Sequence, residues 1–130
     1  MNQKEHHTEL RFDKLFGPCF APSPNVAALH VLVDDGSSYI LPYAHLLYSR
    51  TDPNPALEQD PEAPPQKLLI RFALIEVTVL GSGFKRIETA IQRFELDFLK
   101  SAPMRYAAMY PTHVAAIAIH FLEVSHERNQ

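Results

Sequence analysis

An α+β domain, with one antiparallel sheet of about five strands packed against one main helix, is what this sequence predicts. Three observations carry that expectation. Asp35-Gly36 lies between two apolar runs, the signature of a β-hairpin. Phe84, Ile87, Ile91, Phe94 and Phe98 recur at spacings of three and four, which places them on one helical stripe. The segments 68–80 and 113–124 are rich in the β-branched and aromatic residues that suit a pleated, half-buried surface. The expected order of elements is β-β-β-β(β)-α-β, with the second strand bent.

At the N-terminus, residues 1–25 read as an irregular arm in which Leu10, Phe12, Leu15 and Phe16 form at most one amphipathic turn. Pro18, Pro22 and Pro24 each remove a ladder donor there. The α+β domain spans 26–124, and 125–130 is a tail. Val26 to Val33 reads as the first strand. Asp35 and Gly36, taken as the centre of a two-residue type I′ turn, would pair Val33 with Ser38, Leu32 with Tyr39, Val31 with Ile40 and His30 with Leu41. Both faces of that hairpin are then apolar, so both are expected to be covered. Pro42 breaks the ladder, and Ala44 to Arg50 resumes it as a bent strand.

Residues 51–66 (TDPNPALEQDPEAPPQ) hold five prolines and four acidic side chains and read as an exposed, mobile loop. The run 68–80 is long for one strand, so it is either a tight hairpin broken near Ala73–Ile75 or one bent strand. Gly81-Ser82-Gly83 ends it. A helix follows, with Ser82 as N-cap and Ser101-Ala102-Pro103 as its stop. Leu96 and Leu99 widen its apolar face. Met104 to Tyr110 adds a short helical turn. In the last strand Ile117, Ile119 and Phe121 share the face that meets the helix, while Ala116, Ala118, His120 and Leu122 share a small, smooth one.

Composition bounds the function. The chain has 130 residues, 46% hydrophobic and 21% charged, enough for a single domain that buries a core without a disulfide or structural metal. The net charge of -3 argues against a protein built to neutralise nucleic-acid phosphates. Tyr39, Tyr43, Tyr48, Tyr106 and Tyr110, with Arg50 and Arg105, form no motif linking aromatic and basic residues. The single cysteine, Cys19, excludes an intramolecular disulfide. The first residues carry charges throughout, unlike a signal peptide, and no stretch approaches the roughly 20 apolar residues of a membrane helix. A cytoplasmic protein with no membrane partner is expected.

Chemistry-bearing patterns are few. The strand–Gly81-Ser82-Gly83–helix corner, followed by Lys85 and Arg86, resembles an anion site in outline, because free amides and two cations meet at a helix start. It lacks the remaining residues of a nucleotide-binding loop. The seven histidines (6, 7, 30, 45, 113, 120 and 126) show no metal-ligand spacing, although His30, His45 and His120 lie on strands that could converge. Cys19 sits among prolines with no activating helix end, no serine occupies a nucleophile elbow, and of the grouped carboxylates Asp34 and Asp35 belong to a turn and Glu58, Asp60 and Glu62 to the loop. No cofactor and no metal are expected. The expected function is a non-catalytic module acting through protein–protein contacts as a homo-oligomer. The alternative is a small anionic ligand held at Gly81, Ser82, Gly83, Lys85 and Arg86.

Overall fold

The computed structural model describes residues 17–122. The amphipathic turn expected at Leu10–Phe16 and the tail at 125–130 lie outside the described residues. Eight strands and one α-helix are present among the described residues: β1 (Phe20–Pro22), β2 (Ala28–Leu32), β3 (Ser38–Pro42), β4 (Leu46–Pro53), β5 (Gln66–Phe72), β6 (Ile75–Ser82), α1 (Lys85–Gln92), β7 (Leu96–Leu99) and β8 (His113–Phe121). They form two four-stranded sheets rather than one sheet of about five strands. The first sheet has the order β1-β7-β2-β3, and the second β4-β5-β6-β8. The second is antiparallel throughout, whereas β7 pairs parallel to β2 in the first.

The bent stretch around Pro42 is where the chain changes sheets. β3 ends at Pro42, a 3-10 turn covers Tyr43–His45, and β4 starts at Leu46 in the other sheet. The buried Tyr43 pins this corner by donating its hydroxyl to the Leu96 carbonyl at 2.6 Å. The run 68–80 is the tight hairpin, with Ala73 and Leu74 between β5 and β6. Along it Leu68, Ile70, Phe72, Val77 and Val79 alternate into the core, as the two-residue period of strands requires. They join Leu29, Val31 and Leu41 of the first sheet and Phe84, Ile87 and Ile91 of α1 in a single apolar cluster.

The hairpin register is one residue away from expectation. Leu29 pairs with Leu41, His30 with Ile40 and Val31 with Tyr39. The connection is a three-residue loop in which the Gly36 N–H bonds the Val33 carbonyl at 3.0 Å and Gly36 takes a φ of 93°. Asp35 fixes it by accepting the Ser37 hydroxyl at 2.6 Å and the Ser37 N–H at 2.9 Å. Those bonds, the hydroxyl first, hold its carboxyl below the usual range. Asp34 is thereby free to reach across the molecule, accepting the Ser101 hydroxyl at 2.6 Å and the Ile117 N–H at 3.3 Å. A one-residue slip changes which side chains share a face. Leu29, Val31 and Leu41 are buried together, while Ile40 is 70% exposed, so the hairpin is covered on one face only.

The helix is half its expected length. It ends at Gln92, and the Phe94 N–H bonds the Ile91 carbonyl while the Glu95 N–H bonds the Ala90 carbonyl, a Schellman pair. Phe94 occupies the left-handed position with a φ of 56°. Such a conformation costs a non-glycine residue about 1–2 kcal/mol. The turn releases residues 96–99 to become β7, where Leu96 and Leu99 are fully buried. Each buried leucine contributes about 1.5–3 kcal/mol, so burial outweighs the strained turn. Ser82 lies in β6 and does not cap the helix; Phe84 is the N-cap, and its N–H bonds the Gln66 side-chain oxygen at 3.0 Å.

The proline-rich segment is shorter and better anchored than a free loop. β4 runs to Pro53 and β5 begins at Gln66. Between them the buried Asn54 donates its amide to the Pro64 carbonyl at 2.8 Å and accepts the Ala56 N–H at 3.2 Å. The short turn expected after residue 103 is present as a 3-10 turn at Met104–Tyr106. In β8 Ile117 enters the core and Phe121 remains 60% exposed.

Candidate functional site

The five residues of the expected anion site divide between two environments. Gly81 is buried beside the β8 bulge, and a Cβ there would be driven into the His113 carbonyl oxygen. Gly83 has a φ of 64°, and a Cβ there would meet the Pro111 carbonyl oxygen. Its own carbonyl accepts the Thr112 hydroxyl at 2.6 Å. Ser82 is paired with His113 in the ladder. At Gly81, Ser82 and Gly83 the corner is therefore packed by the chain itself: these glycines admit residues 111–113.

Lys85 and Arg86 face elsewhere. They line a groove of about 240 Å³ together with Thr89, Arg93, Pro22 and Glu95. Positions 85, 89 and 93 follow the four-residue helical repeat, and 86 adjoins them, so one face of α1 and its C-cap residue Arg93 carry all three cations. The sequence pattern places Arg93 on the polar side of a longer helix. It does not connect Arg93 with Glu95 and Pro22, because only the turn at Phe94 and the β1–β7 pairing bring those residues to the groove.

A second groove, of about 290 Å³, opens where the chain changes sheets. Ile40, Pro42, His45, Phe72, Leu74 and Ile75 line it. Its apolar rim continues outward: Leu74 is 57% exposed, the Leu122 N–H bonds the Leu74 carbonyl, and Phe121 pairs with Ile75 and contacts the Tyr39 ring at 5.9 Å between centroids. Leu47 and Tyr48, also exposed, occupy the bulge of β4 beside Phe72 and Arg71.

The remaining candidates fall at separate places. His30 lies opposite Ile40 on β2, His45 in the corner turn, and His120 opposite Glu76 on β8. Among the described residues no three histidine, cysteine or acidic side chains are grouped to hold a metal ion. No described helix is long and apolar enough to cross a membrane. Arg50 is paired with Asp52 at 2.9 Å on the surface, while Arg105 lies over the Tyr106 ring at 5.0 Å. His113, which the sequence did not single out, is buried and donates Nε2–H between the Ala102 and Pro103 carbonyls at 2.9 and 3.1 Å.

Cys19 is fully buried and its sulfur accepts the Val114 N–H at 3.3 Å. Burial pushes its thiol above the usual value, and burial likewise raises the Tyr43 phenol. Both groups stay neutral in the fold at a pH where the unfolded chain ionises them, near 9.0 for the thiol and 10.0 for the phenol. Their contribution is therefore complete below pH 9 and is lost as pH rises beyond it. We expect the melting temperature to fall progressively above that point, and the fall to be shallower in Cys19→Ala and in Tyr43→Phe. Parallel pH–melting curves for wild type and both variants would rule this out.

No known protein family, curated protein or solved structure matches this chain. What the geometry defines is a class: an α+β domain of two four-stranded sheets and a short helix, whose described residues include an apolar groove and a cationic groove.

Proposed function

We propose that the protein is a non-catalytic interaction module that associates with a second copy of itself through the apolar groove at the sheet-changing corner. The observation that carries this reading is that Ile40 and Leu74, each more than half exposed, line one groove, and that Phe121, 60% exposed, extends its rim beside Ile75. Scattered surface hydrophobics are ordinary, whereas a continuous apolar patch marks a contact surface. A second copy is favoured as the occupant because the groove walls carry no carboxylate, lysine or arginine. Such a surface can face itself across a two-fold axis without like charges meeting.

Sedimentation equilibrium tests the reading. Wild-type protein is expected to show a monomer–dimer equilibrium with Kd of about 1–100 μM. Leu74→Lys, at an exposed turn, is expected to weaken association at least about tenfold, equivalent to roughly 1.4 kcal/mol, while leaving the melting temperature of the monomer unchanged. A wild type that stays monomeric over that concentration range overturns the proposal. So does a Leu74→Lys variant that associates as tightly as wild type.

A further inference from the structure

We infer that the cationic groove on α1 is a binding site for a phosphate monoester carried on a small molecule. Lys85, Arg86 and Arg93 line it, and none of the three forms an ion pair among the described residues. Lys85 and Arg86 occupy the first turn of α1, where the helix dipole already presents positive charge. Only Glu88 in that turn opposes them. This concentration of charge is unfavourable in the free protein, and a bound anion relieves it.

The groove also selects among anions. Thr89 spends its hydroxyl proton on the Lys85 carbonyl at 3.0 Å, so the side-chain donors left among the lining residues are those of Lys85, Arg86 and Arg93. Arginine forks match the paired oxygens of a tetrahedral oxyanion. With Glu95 on the same wall, the side chains lining the groove carry three positive charges and one negative. That leaves two positive charges, matching a phosphate monoester at about -1.5 to -2 near neutral pH. At about 240 Å³ the groove is smaller than the usual site of a drug-sized ligand. It suits the phosphate and the few atoms attached to it. The site stands independently of self-association, since its walls share no residue with the apolar groove.

Amide chemical-shift titrations of the full chain test this at fixed ionic strength, with inorganic phosphate and glucose 6-phosphate as probes and with glucose and sodium chloride as controls. Both phosphate probes are expected to give saturable shifts concentrated in residues 85–95 and around Pro22. Arg86→Gln combined with Arg93→Gln is expected to weaken binding at least tenfold without lowering the melting temperature of the free protein. Glu95→Gln, which removes the opposing carboxylate, is expected to tighten it severalfold. The assignment fails if chloride reproduces the shifts, if the shifts scatter over all surface cations, or if the double variant binds as wild type does. Vesicles carrying phosphatidic acid serve as a further arm. If they sediment the protein while neither soluble probe shifts residues 85–95, a lipid headgroup replaces the small molecule and the assignment is overturned.

Discussion

Gly83→Ala is expected to destabilise the protein by about 4 kcal/mol, because two penalties coincide at one residue. Alanine at its φ of 64° carries left-handed backbone strain, and its methyl group would enter the Pro111 carbonyl oxygen. Backbone cannot move aside as a flexible side chain can. The Thr112 hydroxyl bond to the Gly83 carbonyl holds the two segments together at that point. Gly36→Ala separates the two penalties. Gly36 has a φ of 93°, but a methyl group there would meet nothing within 4 Å, so it should lose only about 1 kcal/mol. Urea unfolding of both variants checks the contrast: equal midpoints would show that the approach of Pro111 does not matter.

His113→Ala should cost about 3 kcal/mol, from the cavity it leaves and the hydrogen bonds it removes. The ring is 2% exposed and lies between the carbonyls of Ala102 and Pro103, so it ties the segment after β7 to the start of β8. His120→Ala is the comparison, since His120 is exposed on the same strand and should change stability by no more than about 0.5 kcal/mol. A denaturation midpoint for His113→Ala close to that of His120→Ala would show that the buried imidazole is not a structural tie.

The parts of this fold legible in the sequence were those governed by local pattern. The strand character of 68–80, the bend at Pro42 and the first turns of α1 follow from side-chain period and proline, whereas the choice between a hairpin and one bent strand in 68–80 was settled by the structure. What sequence could not resolve depended on competition between near-equal local choices. Phe94 and Phe98 continue the helical spacing of Phe84, Ile87 and Ile91, and a short apolar run cannot be assigned to helix or strand by spacing alone. The outcome was decided by burial of Leu96 and Leu99, and the stop fell on a phenylalanine where a glycine would have announced it. The observed hairpin register goes with bonds from Asp34 to Ser101 and Ile117, partners distant in the chain that local pattern does not reveal. β1 was hidden by Pro22 and by Pro18 and Pro24 on either side of it, and an edge strand tolerates such a proline. For the candidate site, Lys85 and Arg86 were legible as cations at a helix start, whereas their association with Arg93 and Glu95 needed the true end of the helix.

The placement of β7 sets the order in which the chain can assemble. β4, β5 and β6 are consecutive and pair with their neighbours, so their loops close at little entropic cost. In the first sheet only β2 and β3 close locally, as a hairpin. β1 and β2 do not pair with each other; each pairs with β7, so Phe20 must wait for Leu99 and His30 for Phe98. During synthesis the amino-terminal strands emerge first and remain without their shared partner until most of the chain has been made. The meander is thus the part that can form early, and insertion of four residues between two waiting strands is the slow, high-contact-order step that completes the domain.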